Sequence, residues 1–291
     1  MKRTSFLTLL IITLTSISIF AGPSFKPFVE TEQGTIGILS HTYQNGKVKG
    51  ENDTFDFVKQ GGQDTIYPFS RYAVGATIAD NHRVWFTYQP LNLVTNVSFQ
   101  SDVTIGDRTF ASPYLSAPGT SNGESMELTY SFPFFRATYT YDLLSKFDNA
   151  YLGVGLALQI RNASIRFVPL DGSPSYVAQN VGLVPALALY SEYRFPFGLT
   201  LSADIAGSYA DSSFFNGATY PFSGSILDAS LRMGYELPNG FELFGTVRYF
   251  GGTSDGTSGK LADTWTESTE RYSSNNIATM TASAGLSWSG N

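Results

Sequence analysis

LDASLRMGYELPNGFELFGTVRY, residues 227–249, reads as two strands joined by a turn. On the first strand Leu227, Ala229, Leu231, Met233 and Tyr235 share one face, and Asp228, Ser230, Arg232, Gly234 and Glu236 share the other. This is the period-two alternation of a β-strand with two different surroundings. Pro238-Asn239-Gly240 is a strong turn signal. Beyond it Phe241, Leu243, Gly245, Val247 and Tyr249 continue the apolar face, and Glu242, Thr246 and Arg248 the polar one. Phe244 alone interrupts the pattern.

Working outward, the same rule recurs. Met280, Ala282, Ala284, Leu286 and Trp288 oppose Thr279, Thr281, Ser283, Gly285 and Ser287. Leu199–Ile205, Leu152–Ile160, Val84–Tyr88 and Tyr72–Ile78 alternate likewise. Ten candidate strands result, at about 34–44, 70–79, 83–99, 125–142, 150–167, 181–195, 199–209, 225–237, 241–250 and 277–288, with eight or twelve as neighbouring counts. Between Ser125 and Tyr141 the apolar face changes phase near Pro133, which predicts a β-bulge. Thr54–Lys59 is a candidate loop hairpin, and Phe25–Glu30 an extra strand or short plug.

The links between these strands alternate in length. Asp80-Asn81-His82, Ser145–Asn149, Pro196-Phe197-Gly198 and Pro238-Asn239-Gly240 are tight. Asn45–Phe69, Gln100–Glu124, Pro169–Asn180, Ala210–Gly224 and Gly251–Asn276 are long and polar, the last reading as flexible and exposed. Short turns at one end and long loops at the other are the signature of a transmembrane barrel. The fold expected is all-β: an antiparallel up-and-down transmembrane β-barrel of about ten strands, with both termini on the periplasmic side.

Composition agrees. Charged residues make up 14% and aromatics 15%, a balance suited to strands with one face in lipid and aromatic girdles at the rims. The predicted periplasmic girdle is Tyr141, Phe147, Tyr151, Phe195, Phe197, Tyr235 and Phe241. The outer one is Tyr88, Tyr130, Phe132, Tyr209, Tyr249 and Phe250. Lys2, Arg3, the apolar run Phe6–Phe20 and Ala21 read as a secretory signal over 1–21, leaving 22–291 as one barrel domain. Cysteine is absent, which excludes disulfides and thiolate sites. A net charge of -6 argues against nucleic acid as a partner.

On this architecture the chain resembles the small outer-membrane β-barrels of Gram-negative bacteria, in the OmpA/OmpW-like size class. The resemblance implies outer-membrane lipid and lipopolysaccharide as surroundings. Lys47, Lys49, Arg108 and Lys260 in the outer loops are candidate contacts for lipopolysaccharide. It also implies the barrel-assembly machinery as a partner in biogenesis. Such barrels often end on an aromatic residue; here Trp288 is followed by Ser289-Gly290-Asn291.

The candidate functional residues are those projecting inward: Arg71, Arg83, Glu127, Arg136, Arg161, Glu192, Arg194, Asp204, Asp228, Arg232, Glu236, Glu242 and Arg248. In a barrel of this size long side chains reach across the lumen. They either pair and plug it, as buried charges require, or line a narrow passive pore and set its ion preference.

A barrel hydrolase is the enzymatic alternative. Ser40-His41-Thr42-Tyr43-Gln44-Asn45-Gly46 is similar to the His-x-Ser-x-Gly-type segment of outer-membrane phospholipase A, but Tyr43 stands in the nucleophile's place. His82, the other histidine, falls in a tight turn. Asp53, Asp56, Asp64, Asp102 and Asp107 lack calcium-loop spacing, and neither a metal nor a cofactor is expected. A secreted soluble β protein that binds a ligand is the third reading.

Overall fold

The structure, a computed structural model, describes residues 25–46, 48–98, 102–105, 108–110, 125–170, 175–214, 221–259 and 270–290. The signal sequence read at 1–21 lies outside them, as do Lys47 and Lys260.

The chain forms strands β1 (Phe25–Gly46), β2 (Phe55–Asp56), β3 (Ile66–Ile78), β4 (His82–Gln89), β5 (Asn92–Ser98), β6 (Val103–Ile105), β7 (Arg108–Phe110), β8 (Ser125–Ser131), β9 (Phe134–Asp142) and β10 (Ala150–Pro169). It continues with β11 (Tyr176–Arg194), β12 (Leu199–Asp211), β13 (Phe222–Glu236), β14 (Phe241–Gly259) and β15 (Glu270–Ser289). The pairs β4/β5 and β8/β9 each make one long wall strand. Around the wall the order is β1, β3, β4/β5, β9/β8, β10, β11, β12, β13, β14, β15 and back to β1, so ten antiparallel strands close a barrel. Closure leaves no edge to satisfy in an apolar medium. We call its two ends the turn end, where the tight links lie, and the loop end.

The face that decides the fold points outward. Leu231, Met233, Leu243 and Val247 are 69%, 59%, 57% and 55% exposed, with no second sheet or helix covering them among the described residues. Asp228, Arg232 and Arg248 face the lumen. Asn239 and Gly240 both carry positive φ, 64° and 79°, which is why Asn-Gly makes this two-strand link. Phe244 does not break the pattern. It points inward and lies flat beneath the Arg232 guanidinium, 3.5 Å from ring centroid to Cζ, where Gly285 leaves room for its ring.

Several sequence expectations change. No bulge forms at Pro133. The β8–β10 and β9–β10 ladders share one register, Ser131↔Ser164 and Phe134↔Arg161, and every even-numbered residue from Met126 to Asp142 is buried inside. The register shift lies instead in β1, between Ile38 and Ser40. Phe25–Glu30 is the first part of β1 and not a separate strand or plug. Much of Gly251–Asn276 is ladder: Gly251–Gly259 pairs with Glu270–Ala278. Backbone ladder bonds extend those strands without an alternating apolar face, helped by Tyr272 Oη, which donates to Asp255 at 2.7 Å. Tyr151, Tyr130, Phe132 and Phe250 leave the girdles and point inward.

Candidate functional site

The lumen is the concave feature the fold builds, and it has two storeys. Toward the turn end it is ionic. Asp228 sits between two arginines: Arg248 donates from both Nε (2.6 Å to Oδ1) and Nη2, and Arg136 Nη2 approaches Oδ2 at 2.8 Å. All three are nearly fully buried. Arg136 also donates to Gln159 Oε1 at 3.1 Å. Arg136 and Asp228 stand on β9 and β13, so this contact crosses the lumen.

A second cluster lies beside it. Arg232 Nη1 meets Glu30 Oε1 at 2.9 Å, and Arg232 also bonds Glu242, which takes further hydrogen bonds from Thr200 and Ser287. Arg71 approaches Glu32 at 3.5 Å, Glu30 at 3.8 Å and Asp204 at 3.7 Å. Arg71 and Asp204 come from β3 and β12, halfway round the ring of ten, so this pair spans the full width. The cavity left among these residues is about 30 Å³, room for about one water.

The remaining predicted residues fall as follows. Arg83 is half-buried, with its guanidinium between the rings of Phe28 and Tyr190. Glu192 accepts from Tyr190 Oη at 2.5 Å and from Arg194 Nε at 2.7 Å. Arg194 and Glu236 sit at the turn-end rim, 3.7 Å apart and about half exposed. The side chain of Arg161 lies outside the described residues. Glu127 is the correction. It is on the outward side of β8, because Met126 and Leu128 fill the inside.

Toward the loop end the lumen is apolar, which the charge-based reading missed. Ile36, Ile38, Tyr43, Phe69, Leu91, Leu93, Met126, Leu128, Phe134, Phe167, Phe250 and Ile277 all point inward into one core. Thr54–Lys59, expected as a loop hairpin, completes it instead as a two-residue strand followed by a turn. Phe55–Asp56 pairs with Thr42–Tyr43, in the place beside β1 that β3 vacates above Gly37. Asp56 Oδ1 accepts from the Val58 and Lys59 N–H groups, and the turn drops Phe57 inward until it is fully buried. Parity was the available signal. Even positions from Met126 through Phe134 run unbroken into Arg136, Thr138 and Thr140.

His41 lies in this core. Its ring stacks on Phe57 at 3.9 Å and meets Tyr130 edge-on at 4.7 Å, and Nδ1 is 2.9 Å from Gln63 Oε1.

His82 Nδ1 is 2.9 Å from Tyr139 Oη on the outer face. Among the described residues no group of three acidic or histidine side chains could hold a metal. Lys49 pairs with Asp255 at 3.0 Å, and the side chain of Arg108 lies outside the described residues.

No protein-family model and no curated protein matches this sequence. Solved structures do. The outer membrane protease OmpT from Escherichia coli aligns with a TM-score of 0.57 at 9% identity, over 91% of this chain and 97% of that one. The outer membrane protein OprG from Pseudomonas aeruginosa aligns with a TM-score of 0.40 at 8% identity, over 92% and 97%. A FadL homologue from the same species gives 0.36 at 6% identity, over 91% and 90%. The fold of this chain is a closed, ten-stranded antiparallel β-barrel, similar to that of the outer membrane protease OmpT.

Proposed function

We propose that the protein is a closed, non-conducting barrel of the bacterial outer membrane, a structural element that carries its loop end at the cell surface. Its turn end and both termini face the periplasm in this reading. The observation that carries it is the two-storey lumen. Arg71–Asp204 and Arg136–Asp228 bridge the bore with charge, and Phe57 with its neighbours fills the rest with hydrocarbon. An ion meets a bonded ionic lattice and then an apolar stretch with no hydration, and either is a barrier.

The outward aliphatic face supports lipid as the surrounding medium, with lipopolysaccharide at the outer rim. The displaced aromatic Trp288 is the residue we assign to recognition by the assembly machinery. His41 does not suit the hydrolase alternative, because it is stacked, fully buried and bonded to an amide. A general base must reach the proton it abstracts. OmpT is a protease, and that activity would need residues other than His41 here.

Planar-bilayer recording of the purified wild-type protein tests the proposal. Steady silence from low to high salt is expected. Stable unitary currents would overturn it and favour the passive channel.

A further inference from the structure

Below the ionic storey, at the turn end, the lumen widens into a vestibule of about 430 Å³. Arg83 lines both this vestibule and the small cavity of the ionic storey above, and no other residue among those described lines the two. It is the septum between them. Its nearest neighbours are aromatic rings. The guanidinium carbon lies 4.4 Å from the ring centroid of Phe28, 4.4 Å from that of Tyr190 and 5.8 Å from that of Trp85. Phe28 stands on β1 and Tyr190 on β11, halfway round the ring, so the guanidinium is held between opposite walls. Tyr151 packs edge-on against Tyr190 at 5.6 Å and braces it from the vestibule side.

The other lumen arginines whose side chains are described, Arg71, Arg136, Arg194, Arg232 and Arg248, are held by carboxylates. Among the described residues Arg83 makes no ion pair, and its Nε has no hydrogen-bond partner. The charges of Glu30 and Glu192 reach it without contact. Rings on two sides, with acidic groups at a distance, form a receptor for a flat delocalised cation. What they hold is a tethered one, the guanidinium of Arg83.

We propose that Phe28, Trp85 and Tyr190 form a binding site for a small planar organic cation of the guanidinium class. The site is reached from the turn-end vestibule, and Arg83 is its built-in occupant, whose departure joins the two cavities. Failure of this idea would leave the closed-barrel reading standing, since the apolar storey lies beyond.

The test uses the full chain in detergent, with Ser202→Cys as a reporter in the upper cavity and a small thiosulfonate reagent. Ser202→Cys alone reacts slowly. Adding Arg83→Ala should speed modification about tenfold or more, the effect of losing a desolvated cation–π contact. Guanidinium chloride at millimolar concentration should restore the slow rate, where equal sodium chloride or urea does not. Protection should vanish when Phe28→Leu and Tyr190→Leu are added. Heat-modifiable gel migration checks folding, and Arg83→Gln, which keeps the stem, takes over the same arms if the alanine variant fails to assemble. An unchanged rate in the Arg83 variants overturns the septum. Guanidinium acting no better than sodium overturns the site.

Discussion

Asp228→Ala is expected to destabilise the barrel by about 3–5 kcal/mol, the range for a buried ion pair that loses one partner. Asp228 is the only carboxylate that Arg248 bonds among the described residues, and it is the carboxylate within ion-pair reach of Arg136. Its removal strands two nearly buried guanidiniums side by side, with Phe134 as their remaining shared neighbour at 4.6 Å and 5.7 Å. Urea unfolding in detergent, followed by heat-modifiable migration, measures the loss. The discriminating arm is the triple variant Asp228→Ala, Arg136→Met and Arg248→Met. Replacing all three charges with apolar groups should recover most of the stability, because the cost lies in unpaired charge and not in the missing bond. A triple variant as weak as the single one would mean that hydrogen-bond geometry, and not charge burial, holds this storey.

How much of this was legible follows from which face a residue type reports. The outward face was legible because lipid-facing strands repeat one rule, and Leu231, Met233, Leu243 and Val247 obey it without exception. The turns were legible because Asn239-Gly240 needs positive φ at both positions, which few other pairs supply. The ionic storey could be read because charged side chains opposite such a face have nowhere else to go. The apolar storey could not be read by the same logic. Chemistry alone sends apolar residues outward, which turns Leu128, Tyr130 and Phe132 the wrong way and calls for a bulge at Pro133 to restore Ala137 and Tyr139. Once a second apolar environment exists inside the barrel, hydrophobicity alone no longer tells inside from outside. Only parity does, and parity runs straight through Pro133. The partnership of individual charges was also beyond the sequence, because Arg71–Asp204 and Phe28–Tyr190 depend on which strands stand opposite in a closed ring of ten.

The two storeys should also come apart by mutation. Phe57→Ala removes a fully buried ring that stacks on His41 and packs against Phe55 at 5.1 Å and Phe167 at 6.0 Å. Truncating a core phenylalanine costs about 3–5 kcal/mol. The segment 55–63 is held to the wall by one short ladder and a few turn bonds, so the cost should appear as local opening and not as loss of the barrel. Gln63→Cys reports it. That site is buried beside His41 in the closed state, and its reaction with maleimide should accelerate by about two to three and a half orders of magnitude, the equivalent of that energy. The β1–β15 and β1–β3 ladders are untouched, so the unfolding midpoint of the barrel should barely move. Conductance should also stay at zero, since Asp228 and Asp204 still tie opposite walls together below the opened storey. Current appearing on Phe57→Ala alone would mean that the ionic lattice is permeable and that Phe57 is the gate of a channel. Slow maleimide reaction together with a lowered midpoint would mean that the loop and the wall fold as one unit.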